Sequence, residues 1–514
     1  MMDDAPRLKL VELVSRHGRG LAGEPRRCEA LLRDYCGEHR REISALTSAA
    51  EEHAAAELLT PQRGTPRAAL LGRLARRLCD HVAITEEAAT WAVNSWALAL
   101  GVVSDDELKT LESPTVARAE ADAATATPAP DAAPRVATNT PHVVTAASSA
   151  LTPIVVAADG SGDYVSIGEA LENAAAGARL LVRPGVYEEG VIIDEHVEIV
   201  GDGPVEKIVI RSAAASCLRM RGAQARVAGL TLQGVAGSGE GVFAVDIEQG
   251  RLLLEDCRIT SETLSCVAVH GRSTEPLIRR CRISDGADSG LYFFDGARGS
   301  VEDCEIHGHS NVGVAITAGA DPAVRRSKIY GGANAGVASW GEGRGVLEEC
   351  EIYGNRLAGV GVSEGARLSA RACRIYEGDN SGVFVHGGGD ATLEACDIHG
   401  HRAAEVAVKT LGQLTALRCQ IHEGRGAGVF IREGGQALIQ ECGVTLNAGA
   451  GVSIGDGSLA AVLGCQVKDN GEAGIRVAAG GAARVNESDL SGNRSGAWDV
   501  EEGAFVEGGD NAEE

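Results

Sequence analysis

Cysteines recur through the second half of the chain at a spacing that invites metal or redox chemistry. Metal sites favour paired ligands such as C-x2-C, and the sequence contains no such pair. Free cysteine is among the most buried residue types, so we predict that these thiols lie in a core and bind no metal. The slots have a period of 23 residues, with Ser327 and Ser488 in two of them, and hold Cys281, Cys304, Cys350, Cys373, Cys396, Cys419, Cys442 and Cys465.

Three residues after the slot, histidine and tyrosine rings form a stripe that could recognise a ligand. Ring faces pack on apolar or sugar surfaces, while phenol and imidazole ends form hydrogen bonds. Stacking of the rings on one another is the alternative, because it also stabilises a sheet. We predict that any ligand-binding surface of the chain is this stripe, and that three further aromatic residues cluster near it. The candidates are His307, Tyr330, Tyr353, Tyr376, His399 and His422 in the stripe, with Trp340, Phe384 and His386 beside it.

Two residues before the slot, the charge alternates in sign from one repeat to the next. Adjacent strands lie about 4.8 Å apart, so opposite charges would contact each other and stabilise each pair by about 0.2–1 kcal/mol. We predict a structural role for this series, which fixes the register between similar repeats. Its members are Glu255, Arg279, Glu302, Arg325, Glu348, Arg371 and Glu394.

The elements that position these ladders are three short strands in each 23-residue repeat. Aliphatic residues alternate around the cysteine slot and after a second, glycine-rich slot, in which Glu405 is the one exception. Glycine and asparagine separate the strands, and no segment has room for a helix of ordinary length. A fixed period of this size indicates a solenoid. The sequence therefore predicts an all-β parallel β-helix of about a dozen coils, right-handed by the rule for parallel crossovers.

Composition narrows the class of protein and its partners. The chain has 514 residues and a formal net charge of −24, which argues against nucleic acid and anionic membrane as partners. No apolar run is long enough to span a membrane, and no secretory signal stands at the start. Fourteen cysteines without a signal peptide favour a reducing compartment, so we predict a cytoplasmic protein of bacterial type. No cofactor is expected.

The sequence divides into four segments. Residues 1–111 show apolar residues at helical spacing and predict a small all-α domain. This segment resembles a helical module found before varied bacterial signalling and defence domains, through AATWAVNSWALALG; an adaptor or self-association role and a plain bundle both stay open. Residues 112–152 are rich in Ala, Thr and Pro and predict a disordered linker. The β-helix follows over residues 153–508, with an acidic tail at 509–514.

The start of the β-helix region resembles pectinesterases and other pectin-lyase-like proteins. The resemblance rests on DGSGDYVSIGEAL, RLLVRPGVYEEGV and VEIVGDG, and it implies a capping helix over Ile167 to Ala176. The later repeats resemble the β-helices of some F-box substrate receptors and of NosD-like proteins. The pectinesterase phrases QDT and DFIFG are absent from the sequence, so no catalytic residue can be carried over. Fold alone does not establish function.

These observations predict a non-catalytic binding or scaffold protein. The flank of the β-helix would recognise a protein or a glycan, while the helical domain would recruit other proteins or self-associate. A carbohydrate-active enzyme of the pectin-lyase-like type, acting as lyase, esterase or hydrolase, is the first alternative. A purely structural spacer is the second.

Overall fold

The structure is a computed structural model. Its helical part and its β-helical part are described one after the other. The described residues are 5–17, 39–51, 54–58, 86–100, 102–103, 152–237 and 241–513, with single positions 28, 32, 36, 71, 74, 75 and 78. The chain divides into two units, Met1–Val144 and Thr145–Glu514. The predicted linker, residues 112–152, lies outside the described residues except for its last position.

The described part of the first unit is helical, as predicted. It contains α1 (Ala5–His17), α2 (Arg40–Glu51), α3 (Ala54–Glu57) and α4 (Glu86–Ala99). Trp96 in α4 is fully buried, and its indole Nε1 donates a hydrogen bond to the Leu46 carbonyl at 2.9 Å. The Arg7 guanidinium donates to Ser95 Oγ at 3.0 Å, which ties α1 to α4. Apolar burial and these two bonds therefore hold the helices around one core.

The second unit consists of three parallel sheets, and most coils of the chain contribute one strand to each sheet. Sheet A contains β1 (Ile154–Val156), β2 (Ala178–Val182), β5 (Val197–Gly201), β8 (Gln224–Ala228), β11 (Arg251–Glu255), β14 (Leu277–Arg279), β17 (Arg298–Glu302), β20 (Asp321–Arg325), β23 (Arg344–Glu348), β26 (Arg367–Arg371), β29 (Asp390–Glu394), β32 (Gln413–Leu417), β35 (Gln436–Gln440), β38 (Leu459–Leu463), β41 (Ala482–Asn486) and β43 (Phe505–Gly509). Sheet B contains β3 (Gly185–Glu188), β6 (Ile208–Ser212), β9 (Thr231–Gly234), β12 (Arg258–Ser261), β15 (Arg282–Gly286), β18 (Glu305–His307), β21 (Lys328–Tyr330), β24 (Glu351–Tyr353), β27 (Arg374–Tyr376), β30 (Asp397–His399), β33 (Gln420–His422), β36 (Gly443–Thr445) and β39 (Gln466–Lys468). Sheet C contains β4 (Val191–Ile193), β7 (Leu218–Met220), β10 (Val245–Ile247), β13 (Val267–His270), β16 (Leu291–Phe294), β19 (Val314–Ile316), β22 (Val337–Ser339), β25 (Val360–Val362), β28 (Val383–Val385), β31 (Val406–Val408), β34 (Val429–Ile431), β37 (Val452–Ile454), β40 (Ile475–Val477) and β42 (Trp498–Val500).

This architecture confirms the predicted parallel β-helix and its register. Ile352 pairs with Ile329 and Ile375, one repeat away on either side, and all three are fully buried. Each such side chain contributes about 1.5–3 kcal/mol when it leaves water. The expected dozen coils is an underestimate, because sheet A has 16 strands and sheets B and C have 13 and 14 in the described residues. The early coils depart from the 23-residue period, so a count from the period alone misses some of them.

One residue in the left-handed region turns the chain from sheet A into sheet B in nearly every coil. Glu349, Ala372, Ala395 and Arg418 have φ values of 55°, 51°, 51° and 52°. Such a backbone costs about 1–2 kcal/mol for a residue with a Cβ. The cost is offset by the ladder, since the Glu349 N–H donates to the carbonyl one coil further on at 3.0 Å. The bend places the next residue, the cysteine slot, inside the solenoid.

The cysteine ladder is a core feature, as predicted. All eight cysteines of the series are at most 3% exposed, and all are free thiols. Cys396 donates to the Ala370 carbonyl at 3.4 Å, and Cys419 N–H donates to Cys442 Sγ at 3.3 Å. Among the residues that the structure describes, no group of three or more His, Cys, Asp or Glu side chains could hold a metal ion. The thiols therefore fill the bend from sheet A to sheet B as small apolar groups.

The first coils of the solenoid are capped by a helix, whereas the last strand, β43, is exposed along its whole length. Helix α5 (Ile167–Asn173) lies over the first coils, and its first N–H groups donate to the Glu189 carboxylate at 2.8 Å. It is the predicted cap, three residues shorter than expected. The predicted acidic tail at 509–514 continues the last coil instead: Gly509 ends β43, and the Ala512 N–H donates to the Ser488 carbonyl at 2.9 Å. Asn511 occupies the next slot of the 23-residue series.

The alternating charges beside the slot form ion pairs between coils. Glu348 binds Arg325 at 2.7 Å and Arg371 at 3.0 Å, so it joins three successive strands of sheet A. Both guanidinium groups lower the pKa of Glu348, chiefly through the hydrogen bond from Arg325. Arg371 and Glu394 form no ion pair with each other that the structure describes. The alternation of charge is therefore continuous in the sequence, but the chain of ion pairs between coils is interrupted.

Candidate functional site

The predicted His/Tyr stripe is a continuous stack of six rings on the outer face of sheet B. Each ring belongs to the last residue of its strand, from β18 to β33. Neighbouring ring centroids lie 4.9, 4.8, 4.9, 5.3 and 4.9 Å apart from His307 to His422, and adjacent planes differ by 15° or less. The coil spacing of about 4.8 Å lies within the range of stacked aromatic rings. Each inner ring is therefore covered on both faces by its neighbours.

Acidic and basic side chains bind the edges of this stack. Tyr330 donates its phenol proton to Glu305 at 2.5 Å, and His422 Nε2 lies 2.9 Å from Asp397. Desolvation and the Glu305 hydrogen bond raise the pKa of Tyr330 to about 12. The Arg374 guanidinium lies 5.1 Å from the centre of the Tyr376 ring. The inner ring faces and the polar ends of Tyr330 and His422 are thus occupied by the protein itself, which favours the stacking role over recognition.

Trp340, Phe384 and His386 lie elsewhere, so the expectation that they cluster with the stripe is wrong. Phe384 is the central residue of β28 in sheet C, His386 directly follows that strand, and Trp340 directly follows β22. In the sequence these residues alternate with the stripe, but each falls one strand later in its coil and therefore on another sheet. None of the six stripe residues lines the groove that these three residues share.

This groove, the sheet C groove, is a recess of about 840 Å³ along five successive strands. Its floor is made of small residues, Ala338, Gly361 and Ala407. Ala338 pairs with Gly361, Gly361 pairs with Phe384, and Ala407 pairs with both Phe384 and Phe430. The aromatic and polar residues around it are Trp340, Phe384, His386, Phe430, Asn334, Asn380, Ser363, Glu364 and Lys409. Aromatic walls with a few polar groups are typical of ligand sites on proteins.

Aromatic side chains in the groove recur at every second coil. Phe384 and Phe430 are two strands apart in the central column of sheet C, and Trp340 and His386 are two strands apart in the next column. At about 4.8 Å per coil, each pair is separated by about 9.6 Å along the axis. Rings at that distance cannot stack on each other. Trp340 has no stacked ring in the described residues, and Phe384 stacks only on His386, at 4.5 Å.

Positive charge gathers at the Phe430 end of the groove. The Lys409 Nζ and the Arg432 guanidinium lie 5.4 and 4.9 Å from the centre of the Phe430 ring. Neither forms an ion pair with any residue that the structure describes, and of the two only Lys409 lines the groove. The other end carries one carboxylate, that of Glu364. The groove therefore has polarity along its length, on a protein with a formal charge of −24.

A buried His–Glu pair supports the turn that leads into the groove. Glu405, the exception in the glycine series, is fully buried; its carboxylate accepts from the His401 N–H at 2.8 Å and contacts His401 Nδ1. In neighbouring coils an asparagine one repeat further on serves the equivalent N–H, as Asn447 does for Gly424 at 3.1 Å. Gly424 makes the exchange possible, since a Cβ there would lie 2.6 Å from Glu405 Oε1.

A second polar group of sheet C lies outside the groove, nearer the start of the solenoid. His270 Nε2 is 2.9 Å from Asp246, and the His270 ring stacks on Phe294 at 4.8 Å. The hydrogen bond to Asp246 raises the pKa of His270. Asp246 is 7% exposed and also faces the Arg219 Nε at 3.4 Å. This arrangement orients an imidazole and could act as a general acid or base.

Sequence reasoning missed Lys409, Phe430 and Gly361, although a signal exists for the last two. The residue two places after each glycine slot points outward from sheet C, and this column reads Ala315, Ala338, Gly361, Phe384, Ala407 and Phe430. Large rings separated by small residues predict a recess wherever the column is exposed. The column was read only for its inward neighbours, because the buried positions carry the stronger periodic signal.

Comparison with protein families identifies the fold class. The family model described as "Right handed beta helix region" matches residues 216–371 and 358–511, which together span more than half of the 514 residues. The chain therefore belongs to the right-handed β-helix family, and the handedness agrees with the prediction. No curated protein matched the chain in a sequence search.

Solved structures with a similar fold include carbohydrate-modifying enzymes. The periplasmic alginate epimerase AlgG is 12% identical with a TM-score of 0.41, over 64% of this chain and 78% of its own. The A-module of the Azotobacter vinelandii mannuronan C-5 epimerase AlgE4 is 14% identical with a TM-score of 0.41, over 66% and 93%. Pectin methylesterase from carrot is 17% identical with a TM-score of 0.31, over 48% and 84%. At these identities the likeness concerns the fold alone.

No helix in the described part of the chain is both long and apolar enough to cross a membrane.

Proposed function

We propose that this protein is a non-catalytic binding protein whose sheet C groove receives an extended segment of a protein or a glycan. The observation that carries the proposal is the set of half-buried rings, Trp340, Phe384 and Phe430, along one recess, none of which stacks on a ring of the adjacent coil. Aromatic side chains in recesses provide much of the energy of recognition, because they bury large areas with little loss of side-chain freedom. The His/Tyr stripe stabilises sheet B and is not itself the recognition surface.

A binding screen with the full chain tests this proposal. Labelled extended peptides and oligosaccharides serve as probes, and Trp340→Ala with Phe384→Ala removes two walls of the groove. Loss of two anchoring rings should raise the Kd of any true ligand at least about 30-fold, the size of a single hot-spot effect. Tyr353→Ala is the matched control, since it removes an outward ring from sheet B. A ligand lost with Tyr353→Ala and retained by the groove variant would return recognition to the stripe.

The helical unit is proposed to recruit other proteins or to self-associate. Its described helices enclose a core of their own, with Trp96 and Leu46 fully buried. A unit with its own core can carry a function separate from the solenoid. Light scattering of the full chain over a range of concentrations tests self-association, and a mass that stays at that of one chain throughout would contradict it.

We also propose a reducing, cytoplasmic location for the protein. Support comes from thirteen cysteines in the described residues, all buried and none in a disulfide. Free thiols in such number are typical of reducing compartments. Fractionation of cells that express the native gene tests this location, and recovery outside the cytoplasm would contradict it.

A carbohydrate-active enzyme remains the second candidate, and the His270–Asp246 pair is the observation that favours it. An imidazole held by a carboxylate and backed by a ring is suited to proton transfer. The test incubates the full chain with uronate-containing polysaccharides and follows cleavage, de-esterification and epimerisation. Turnover that is lost in His270→Gln and kept in the control His386→Gln would establish the enzyme and displace the binding proposal.

A further inference from the structure

The two-coil spacing of the groove's rings sets a length that a ligand must match. A polyproline II helix has three residues per turn and rises about 3.1 Å per residue, so it repeats every 9.3 Å or so. The ring pairs Trp340/His386 and Phe384/Phe430 are about 9.6 Å apart along the solenoid axis, two coils of about 4.8 Å. A polyproline II segment lying along the groove would thus meet equivalent rings with each turn. A β-strand does not fit this repeat, because side chains on one face of a strand recur every two residues, which is a shorter distance than the spacing of the rings.

The polar groups of the groove suit the same conformation. A polyproline II backbone has no internal hydrogen bonds, so its carbonyl groups need donors from water or a partner. Trp340 and Asn380 bring an indole N–H and an amide to the groove, and no described residue accepts from either of them there. Aromatic-lined grooves are the usual receptors for such segments, since rings pack on the flat faces of proline.

Charge decides the sign of the ligand. At the Phe430 end, Lys409 and Arg432 carry positive charge without a described ion pair. The protein as a whole is strongly acidic, so this end is a local exception that would attract a carboxylate. We propose, on the basis of the binding function above, that the groove receives an acidic, proline-rich segment of a partner protein. The segment lies in polyproline II conformation with its carboxylate side chains at the Phe430 end.

The dimensions of the groove fix the length of the segment. Five successive strands, from β22 to β34, span four steps of about 4.8 Å, or about 19 Å. That distance corresponds to about six residues of polyproline II, or two turns. A peptide of about nine residues therefore covers the groove with a turn to spare.

Labelled peptides of about nine residues test the inference with the full chain. The probe is a repeat of Pro-Pro-Glu, compared with Gly-Gly-Glu, which has the same charge without the fixed backbone, and with Pro-Pro-Lys, which has the opposite charge. We expect Pro-Pro-Glu to bind at least about tenfold more tightly than either, and its affinity to fall as salt screens the cations. An oligosaccharide of uronate residues serves as the probe of the other ligand class.

Gly361→Leu blocks the groove without removing any of its rings. A Cβ at Gly361 meets only the Val337 carbonyl at 4.0 Å, so the strand accepts a side chain, which must then project into the groove. This variant should abolish Pro-Pro-Glu binding. Lys409→Glu with Arg432→Glu should reverse the preference toward Pro-Pro-Lys. Arg344→Glu is the charge control, because Arg344 lies on sheet A, begins β23 and forms no described ion pair.

Each outcome separates this inference from the proposal on which it rests. Binding of Pro-Pro-Glu that survives Gly361→Leu, or equal binding of Gly-Gly-Glu, would overturn the polyproline inference. Failure of Pro-Pro-Glu together with binding of the oligosaccharide that depends on Phe384 would also overturn it, and would leave the binding proposal intact. If neither class of probe bound the groove, both proposals would fall.

Discussion

The stripe on sheet B and the groove on sheet C use the same kinds of side chain with opposite results. On sheet B a ring occurs in each of six successive coils, and Tyr353 has Tyr330 on one face and Tyr376 on the other, at 4.8 and 4.9 Å. On sheet C rings in one column occur in every second coil, with Ala407 between Phe384 and Phe430. The coil spacing of about 4.8 Å suits a ring stack, whereas twice that distance leaves room for a foreign molecule.

The lesson is that in a solenoid the spacing of aromatic residues matters more than their number. A ring in each coil satisfies its neighbours and strengthens the sheet. A ring in alternate coils, over a floor of alanine and glycine, has no ring of the adjacent coil stacked on it and leaves a recess between the rings. Three substitutions test this contrast between the two sheets. A fourth compares ring stacking with ion pairing, and the four are given in order of decreasing expected effect.

A ring added beside Phe384 should replace part of the groove floor with a stacked pair of rings. Gly361→Phe places a ring one coil before Phe384, at a site where a Cβ is tolerated. We expect ligand affinity to fall at least about 30-fold, because the floor of the groove is lost. Thermal stability should hold or rise, since the new ring stacks on Phe384. Calorimetric titration measures the affinity and thermal unfolding measures the stability. A variant that binds normally would show that the recess at Gly361 is not part of the binding site.

Breaking the stack should have the reverse effect, with a cost in stability and none in binding. Tyr353→Ala removes a half-buried ring and two stacking contacts, each worth about 0.5–1.5 kcal/mol. We expect a loss of about 1–3 kcal/mol in the free energy of unfolding by urea. Phe384→Ala, with a single ring contact, is the comparison and should cost less. Equal losses for the two variants would mean that stacking does not distinguish the two sheets.

Much of this fold could be predicted from the sequence, because the period itself carries the register. Once Cys350 and Cys373 are 23 residues apart, the strands around them must pair in parallel, and their inward residues follow from alternation. The sheet B stripe could be placed for the same reason. A strict period also predicts which residues are neighbours between coils, such as Arg325 and Glu348.

The direction of the bends could not be predicted, and the groove depends on them. The left-handed position before the cysteine slot carries Glu349, Ala372 and Arg418, none of which signals φ > 0 as glycine would. Without that angle, the sequence does not tell which outward column becomes concave. The use of the His401–Glu405 pair in place of the asparagine of neighbouring coils could not be predicted from the sequence either. It depends on the space that Gly424 leaves one coil away.

The hydrogen bond between Tyr330 and Glu305, at the edge of the ring stack, should make the free energy of unfolding depend on pH. Desolvation and the bond to Glu305 raise the pKa of Tyr330 to about 12, against 10.0 for a free phenol. Its contribution is therefore complete below pH 10.0 and is lost as the pH rises toward 12. The same bond lowers the pKa of Glu305, so that contribution is present above pH 4.5 and is lost at lower pH.

Tyr330→Phe keeps the ring in the stack and removes only this bond. The stability difference from the unaltered protein should be largest between pH 5 and 10 or so, and should shrink on both sides. In that window we expect about 0.5–1.5 kcal/mol, the usual net value of one hydrogen bond. Urea unfolding across the pH range measures it. Tyr353→Phe is the control, because no hydrogen bond of its phenol is described, and an identical profile for both variants would contradict the role of Glu305.

The smallest effect is expected from the charges of sheet A, which run beside the ring stack without burying comparable area. Glu348 binds Arg325 at 2.7 Å and Arg371 at 3.0 Å, and its own side chain is 24% exposed. Exposed ion pairs contribute little because water and salt screen them, so Glu348→Gln should cost about 0.2–1 kcal/mol and less at high salt. Its lowered pKa places this contribution above pH 4.5, and it should disappear as the pH falls below that value. A double-mutant cycle of Glu348→Gln with Arg325→Gln isolates the pair from other changes. A coupling as large as the loss in Tyr353→Ala would mean that charge, and not ring stacking, holds neighbouring coils in register.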